Sequence, residues 1–388
     1  MDPVQTTATP FSRKNLVLYF LRLGTTGFGG PIALVGYMER DLVTERGWIT
    51  SEEYRRGLAL AQLAPGPLAA QLAIYIGYVK GKVPGATVAG LAFILPSFLM
   101  VVGIGMLYVA YGGLEWMQAV FYGVGAAVIG IIIRSAYNLV RRTLKSTVLL
   151  WAIFFVMGVV TAFTQEEIVW LFLLSGAAAV LILAPPDFVR FSSAKTILPP
   201  ALLSFVQASV FSQIGLLATI FLFFAKAGAF VFGSGLAIVP FLYAGVVQQH
   251  HWLNDRQFLD AVAVAMITPG PVVITVGFVG YLTAGFTGAL AAALGVFLPV
   301  YLFVIIPAPY VERYARNAQL IAFVDGVTAA ATGAIAGAVV VLGRRDITDI
   351  PTLLIAIVAL ATLVRFRIPE PIVVVLAAGI GLLIHSSH

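Results

Sequence analysis

The chain has 388 residues, of which 60% are hydrophobic and only 10% are charged, and its formal net charge is +6. A mean hydropathy of +1.00 excludes an ordinary soluble domain and predicts a polytopic membrane protein. The apolar runs are continuous rather than alternating, which favours spanning helices over a β-barrel. The absence of cysteine excludes disulfides, thiolate metal sites and cysteine nucleophiles, and the modest positive charge indicates membrane orientation rather than nucleic-acid binding.

Six hydrophobic elements are predicted in the first half, in chain order 15–38, 57–79, 84–111, 114–140, 146–163 and 168–183. The charged segment 39–56 separates the first two and contains Trp48, which suggests an interfacial anchor. A proline-rich polar stretch, 185–200, marks a boundary, and 201–217 forms an extra segment with no counterpart in the first half. The sequence therefore predicts three parts, namely an N-terminal repeat (1–187), a linker with one extra membrane segment (188–217) and a C-terminal repeat (218–388).

The second half of the chain repeats the first. Three matched pairs, each separated by 204 positions, are Phe28-Gly29-Gly30-Pro31 with Phe232-Gly233-Ser234-Gly235, Trp48 with Trp252, and Pro65-Gly66-Pro67 with Pro269-Gly270-Pro271. After a slip of one residue the separation becomes 203, from Gly77 and Gly280 to Glu167 and Glu370. Because the agreement extends over nearly the whole chain, two homologous all-helical domains are predicted.

Each half places glycine and proline in the middle of two hydrophobic segments. These residues weaken or interrupt a helix and leave backbone N–H and C=O groups without partners. In hydrocarbon such groups must be buried in protein or must line a water-filled cavity. The broken helices therefore predict a transport site near the middle of the membrane, where helix N-termini favour an anion.

Loop charges predict that the two halves are inverted relative to each other. Lys80 and Lys82 follow the second element, whereas the equivalent loop, 282–285, carries no charge. By the positive-inside rule the two loops face opposite sides of the membrane, and the extra segment at 201–217 supplies the odd number of crossings that this needs. The arginines of the charged segment 39–56 would then lie outside, unless the elements on either side of it are hairpins that enter the membrane and return.

An intramembrane cation precedes the first break of each half by six residues, Arg22 before Phe28 and Lys226 before Phe232. Charges inside a membrane are functional by default, so both are candidates for binding an anion; snorkelling to the interface is the alternative. For the glutamines and threonines beside the second break, helix–helix hydrogen bonding explains their presence as well as binding does. The substrate-binding candidates are Arg22, Phe28, Gly29, Gly30, Pro31, Gln62, Pro65, Gly66, Pro67, Gln71, Lys226, Phe232, Gly233, Ser234, Gly235, Thr268, Pro269, Gly270, Pro271 and Thr275.

Two further charges in hydrophobic segments have no counterpart in the other half. Asp325 could carry a coupling proton, but its position near the start of its element favours a capping role. Arg134 could pair with an acid or with the substrate. No catalytic motif or Walker loop accompanies these residues, so neither an enzyme nor an ATP-driven pump is predicted, and no cofactor or metal is expected.

A resemblance to the chromate ion transporter family is carried by Phe28-Gly29-Gly30-Pro31, Trp48, the segment 58–67, Gln71-Leu72-Ala73, Gly77-Tyr78 and Leu95-Pro96. It implies two homologous domains in opposite orientation, a bacterial inner-membrane location and export of chromate, a tetrahedral dianion similar to sulfate. The N-terminus is predicted to be cytoplasmic. The leading hypothesis is a secondary transporter of tetrahedral oxyanions, coupled to protons or to sulfate exchange. A sulfate or other anion carrier and a passive anion channel are the alternatives; the expected partners are the oxyanion and membrane lipid, and a homodimer is left open.

Overall fold

A computed structural model of the chain describes residues 11–28, 30–111, 115–144, 147–164, 169–185, 215–230, 238–310, 317–347, 349–366, 368 and 370–385. Within these residues the secondary structure is helical, and no strand occurs among them. Gly29, the run from Phe232 to Gly235 and nearly all of the extra segment predicted at 201–217 lie outside the described residues.

In chain order the helices are α1 (Arg13–Thr26), α2 (Gly30–Met38), α3 (Ser51–Leu63), α4 (Leu68–Tyr111), α5 (Glu115–Thr143), α6 (Val148–Thr164), α7 (Val169–Leu183), α8 (Leu216–Phe230), α9 (Ile238–Leu242), α10 (Asp255–Ile267), α11 (Thr275–Ile305), α12 (Ala318–Asp346), α13 (Ile350–Phe366) and α14 (Glu370–His385). The π-helical segments Glu39–Glu45 and Tyr243–Gln249 directly continue α2 and α9. Short 3₁₀ turns at Val272–Ile274 and Ala308–Tyr310 flank α11.

Four apolar helical stretches among the described residues are long enough to cross a membrane: Leu68–Tyr111, Ala119–Asn138, Val272–Tyr310 and Ala318–Val341. Five further apolar helices of 10–17 residues accompany them. An all-helical, multi-pass membrane protein was the expectation from the composition, and this coarse prediction is confirmed.

Two of the long helices are folded back on themselves. The backbone leaves the helical region at Gly81 and Lys82 in α4, and at Ala284 and Gly285 in α11. Each helix therefore has a short first arm and a long second arm, which we call α4a (68–80), α4b (83–111), α11a (275–283) and α11b (286–305). The arms pack closely through glycines, because a methyl group on Gly77 would overlap the carbonyl group of Gly85.

Two further hairpins lie before the turn in α4, since α3 packs against α4a and the chain turns back between α1 and α2. At the open end of the hairpin formed by α3 and α4a, Lys80 Nζ lies 3.6 Å from Glu53 Oε2. At the open end of the hairpin formed by α1 and α2, the rings of Phe11 and Trp48 lie 6.0 Å apart in edge-to-face contact. At these two open ends the segments that precede and follow each hairpin therefore lie close together.

The closed ends of the hairpins lie near glycines and prolines. We call them the Gly27 tip (Gly27, Phe28 and Gly30), the Gly66 tip (64–67) and, in the second half, the Gly270 tip (268–271). The second hairpin of each half begins with a capping box, formed by Thr50 with Glu53 and by Asn254 with Gln257. Such boxes satisfy N–H groups at the helix start, so equivalent sequences begin the equivalent helices α3 and α10.

The two halves are interleaved rather than side by side. α4b packs against α11b, α5 packs against α13 and α14, and α12 packs against α6 and α7. Close approach depends on glycine, since Gly123 lies against the backbone of Ala377 and Gly326 lies against the backbone of Ser175. Small residues at such contacts are the usual basis of helix packing in membranes. The last two helices of each half therefore cover a helix of the other half.

Candidate functional site

A cavity of about 310 Å³ lies beside the Gly27 tip, between α1 and the segment that continues α2. Its lining residues are Tyr19, Arg22, Leu23, Thr26, Gly27, Tyr37, Arg40, Asp41, Glu45 and Arg46. The lining is mainly polar and charged, although the protein as a whole carries few charges. We call it the arginine cavity, and it is our candidate for the functional site.

The first wall of the cavity is one face of α1. Arg22 and Leu23 follow Tyr19 by three and four residues, and Thr26 follows them by four and three, so all four lie on the same side of a helix. The Thr26 hydroxyl donates to the Arg22 carbonyl at 2.9 Å, and the Gly27 N–H donates to the Leu23 carbonyl at 2.8 Å. These bonds end α1 at the tip and place Arg22 one turn before it.

The opposite wall is helical, which corrects the interpretation of 39–56 as a charged segment that only separates two hydrophobic elements. The segment Glu39–Glu45 is a π-helix, and the Arg46 N–H donates to the Asp41 carbonyl at 3.2 Å. The wider π turn brings Arg40, Asp41 and Glu45 to the cavity. π-Helical turns are rare and are often found at functional sites.

The charges in the cavity are only partly paired. Arg40 Nε donates to Asp41 Oδ1 at 2.8 Å and lies 3.5 Å from Glu45 Oε1. The Arg46 guanidinium lies 5.4 Å from the centre of the Tyr19 ring and 4.7 Å from that of Trp48. Among the described residues no carboxylate pairs with Arg22. With three arginines and two carboxylates in its lining, the cavity carries a net positive charge.

The two halves meet at this site. The Gly270 N–H donates to the Gly27 carbonyl at 3.0 Å, which joins the Gly270 tip to the Gly27 tip. Ser97 of α4b donates to the carbonyl of Gly24 at 3.2 Å. Gly270 has a φ of +96°, and a Cβ at this position would overlap Ser97 Oγ. Glycine is therefore required where the second half contacts the wall of the cavity.

At the Gly66 tip, where the helix is interrupted, a glutamine side chain donates hydrogen bonds to backbone carbonyls. The Gln71 side chain is 0% exposed, and its Nε2 donates to the carbonyls of Pro65 at 2.7 Å and Ala64 at 3.2 Å. Gly66 has a φ of +136°, which only glycine adopts without strain. The geometry favours the hydrogen-bonding explanation for Gln71, whereas Gln62 is exposed on α3.

The Gln71→Met protein should be less stable than the wild type, because two buried carbonyls would lose their donor while the side-chain volume is nearly kept. We expect the free energy of unfolding to fall by about 1–3 kcal/mol, measured in detergent by chemical or thermal unfolding. Gln62→Met is the matched control and should change stability by less than about 0.5 kcal/mol. A Gln71→Met protein with unchanged stability but lost oxyanion affinity would instead favour a role in binding.

The two predicted threonines of the second half also donate hydrogen bonds to backbone carbonyls. Thr268 Oγ1 donates to the carbonyl of Val264 at 2.9 Å, and Thr275 Oγ1 donates to that of Ala261 at 2.7 Å. Neither residue lines the cavity.

The second-half counterpart of the cavity is filled by aromatic rings. Phe223 stacks on Phe241 at 5.3 Å, and His250 stacks on Trp252 at 4.4 Å. Burial among these rings holds the pKa of His250 below its ordinary value. Lys226 is exposed, with Nζ 5.8 Å from the centre of the Phe241 ring, and it does not line the cavity beside α1. The structure therefore brings Arg22 and Gly270 to one site and places Lys226 elsewhere.

The other predicted residues belong to the tips themselves. Phe28 is 40% exposed, and Gly30 begins α2 with a φ of +75°. The prolines at the tips are buried or half-buried: Pro31, Pro65, Pro67, Pro269 and Pro271. These residues end or begin helices, and their side chains do not line the cavity.

Sequence reasoning missed most of the cavity lining. The missed residues are Tyr19, Leu23, Thr26, Gly27, Tyr37, Arg40, Asp41, Glu45 and Arg46. One signal was available, since Tyr19, Arg22 and Thr26 share a helical face. The charged residues could have been added only if the helix after Gly30 had been extended through Glu45. No group of three histidines or acidic residues suited to a metal occurs in the part of the chain that is described.

Comparison with known proteins gives consistent matches over the whole chain. A family model described as chromate transporter matches residues 14–181 and 218–382. The chain is 58% identical over 383 residues to the chromate transport protein of Cupriavidus metallidurans, covering 97% of this chain and 94% of the relative. It is 56% identical to a probable chromate transport protein of Synechococcus elongatus (97% and 96% covered) and 32% identical to the chromate transport protein of Pseudomonas aeruginosa (96% and 92% covered). No solved structure matches.

Proposed function

Because the chain belongs to the chromate transporter family, whose named members are transport proteins rather than enzymes, we propose that it carries chromate or a similar tetrahedral oxyanion across the membrane. The substrate binds in the cavity beside α1. The observation that carries this proposal is Arg22, a cation without a carboxylate partner among the described residues, in a cavity at a helix break.

The chemistry of the cavity suits a tetrahedral dianion. Guanidinium groups donate several charge-assisted hydrogen bonds to an oxyanion, and the hydroxyl groups of Tyr19, Tyr37 and Thr26 can add neutral donors. One water occupies about 30 Å³ of liquid, so a cavity of 310 Å³ accommodates an oxyanion of five heavy atoms with part of its hydration shell. Asp41 and Glu45 hold Arg40, and Arg46 lies against the rings of Tyr19 and Trp48, which leaves Arg22 as the principal charge for the substrate.

We further propose that the halves are inverted repeats, and the packing of α4b on α11b supports this. Phe98 contacts Phe286 with ring centres 6.3 Å apart, and the Tyr301 hydroxyl donates to the Val83 carbonyl at 3.4 Å. Phe98 and Tyr301 are equivalent at a separation of 203, as are Val83 and Phe286. The contacts are thus reciprocal, and the equivalent helices run antiparallel, as an inverted repeat requires.

The proposed orientation places the N-terminus and the open ends of the first-half hairpins in the cytoplasm of a bacterial inner membrane. Arg13, Lys14, Lys80 and Lys82 lie at these ends, whereas the equivalent turn 282–285 is uncharged, in agreement with the positive-inside rule. Since the first hairpin returns to the side that it entered from, the arginines around Trp48 fall on the same side. In this orientation the carrier exports chromate and exchanges it for sulfate or protons.

Flux measurements on the purified protein in lipid vesicles test the proposal. We expect chromate uptake that saturates, that is inhibited by sulfate and that accelerates when unlabelled chromate is present inside the vesicles. A passive anion channel would show no acceleration by substrate on the opposite side, and vesicles without protein give the background. Absence of chromate and sulfate flux above that background would refute the proposal.

A further inference from the structure

A second ionisable group lies inside the protein, away from the arginine cavity. Asp260, on α10, is only 2% exposed, and the Tyr108 hydroxyl of α4b donates to its Oδ2 at 2.7 Å. The equivalent position in the first half is Arg56, which is partly exposed and pairs with Glu52. The buried acid is therefore a property of the second half alone.

The elements packed against α10 carry several titratable groups, most of which have other partners. Those on the elements packed against α10 include Tyr108 of α4b, Tyr122 of α5, Tyr243 of the π-helix after α9, Tyr281 of α11 and Glu370 of α14, with Arg256 and Asp255 on α10 itself. Tyr122 donates to Asp349, Tyr243 donates to Asp255, and Glu370 interacts with Arg134. Arg256, one turn before Asp260 on α10, acts electrostatically on Tyr108.

A carboxyl group in this position is suited to bind and release a proton. Ionised carboxylates are costly inside a membrane, and ionisable groups there mark substrate or proton pathways. The Tyr108 hydroxyl can donate to the carboxylate and can accept from the protonated carboxyl group. The pair can therefore stay hydrogen-bonded in both protonation states, which favours reversible protonation over a fixed structural charge.

The hairpin that carries Asp260 is connected to the arginine cavity. The Thr275 hydroxyl of α11a donates to the carbonyl of Ala261, the residue after Asp260, and ties the two arms together. At the end of the hairpin the Gly270 N–H donates to the Gly27 carbonyl in the cavity wall. A change in the charge of Asp260 therefore acts on an element that directly contacts the substrate site.

We infer that Asp260, paired with Tyr108, is a proton-binding site that couples oxyanion transport to a pH gradient. The inference rests on the proposed function, because it assigns the coupling group of the same carrier. Asp260 takes up a proton on one of its carboxylate oxygens from water on one side of the membrane and releases it to water on the other side. Its protonation state changes as the Gly270 tip moves with the substrate.

The test uses the full-length protein in vesicles that contain a pH-sensitive dye, with labelled chromate outside. In the wild type we expect chromate-dependent proton movement and chromate accumulation driven by an imposed pH gradient. Asp260→Asn should reduce gradient-driven accumulation by at least about tenfold, while chromate/chromate exchange at equal pH stays within about twofold of the wild type and becomes independent of pH. Retention of gradient-driven accumulation by Asp260→Asn overturns the inference.

Asp255→Asn is the matched control, since Asp255 lies on the same helix and also accepts a hydrogen bond from a tyrosine, but at the open end of the hairpin. It should keep both proton movement and accumulation.

If Asp260→Asn loses exchange as well, the Asp260→Glu protein distinguishes a coupling role from a structural one. Recovery of gradient-driven accumulation in Asp260→Glu supports the inference. Loss of both exchange and accumulation in a monodisperse Asp260→Glu protein shows a structural role and overturns it. Wild-type exchange without proton movement refutes only this inference, whereas absence of wild-type exchange refutes the proposed function.

Discussion

The Arg22→Gln protein should lose most of its oxyanion transport and remain folded in the membrane. Arg22 lines the cavity beside the Gly27 tip and has no carboxylate partner among the described residues, so its removal leaves no acid unpaired. A hydrogen bond to a charged group contributes about 1.5–3 kcal/mol, which corresponds to roughly 10- to 150-fold weaker binding. The concentration of chromate at half-maximal flux measures the effect.

Arg13→Gln is the control for this experiment. Arg13 lies on the same helix, at its first turn, and lines a different, smaller cavity, so chromate affinity should be unchanged. Lys226→Gln tests whether the second half also binds the substrate. The repeat predicts equal roles for Arg22 and Lys226, whereas only Arg22 lines the arginine cavity. Equal losses in Arg22→Gln and Lys226→Gln would indicate that both halves bind the substrate. Wild-type affinity in Arg22→Gln would remove Arg22 from the site.

The sequence carries local signals for the ends of helices. Glycine and proline interrupt helices for local reasons, through backbone freedom and a missing N–H group. α1 ends at Thr26 and α3 ends at Leu63, close to Gly29-Gly30-Pro31 and Pro65-Gly66-Pro67, the positions from which the sequence predicts broken helices. The internal repeat added the corresponding tip in the second half, around Gly270.

The return of each hairpin could not be predicted in the same way. An apolar run such as 15–38 has the length of a single membrane span, and hydropathy alone does not distinguish it from two shorter arms. The direction of the chain after the Gly27 tip depends on tertiary contacts, such as that between Phe11 and Trp48. The arginine cavity depends in turn on this return, because Arg40 and Arg46 reach α1 only when the chain folds back.

The interleaving of the halves could not be predicted from the sequence either. α5 is covered by α13 and α14, which come more than two hundred residues later in the chain. Glycines such as Gly123 permit this close contact, yet 38 glycines occur in the chain, and the sequence does not indicate which of them meet. Partners in membranes are chosen by the detailed shape of the helix surfaces rather than by hydrophobicity.

The Gly270→Ala protein should be defective in both stability and transport. Gly270 has a φ of +96°, a conformation that costs an L-residue about 1–2 kcal/mol, and the added methyl group would overlap Ser97 Oγ. To relieve the overlap, either Ser97 Oγ rotates away and loses its hydrogen bond to the Gly24 carbonyl, or the Gly270 tip moves away from the Gly27 carbonyl, to which it donates a hydrogen bond. We expect flux to fall by at least about tenfold, measured in vesicles at equal amounts of inserted protein.

Two variants distinguish the effect of backbone strain on transport from the effect of losing the contact between the tips. Gly285→Ala is the matched control, because Gly285 has a φ of +62° and has no atom within 4 Å of an added Cβ; it should lose stability but keep most of the flux. Ser97→Ala combined with Gly270→Ala removes the hydroxyl that the methyl group would overlap, so part of the flux should return. Equal flux in Gly270→Ala and Gly285→Ala would show that the Gly27–Gly270 contact is not needed for transport, since both proteins carry a strained backbone and only one disturbs the tips.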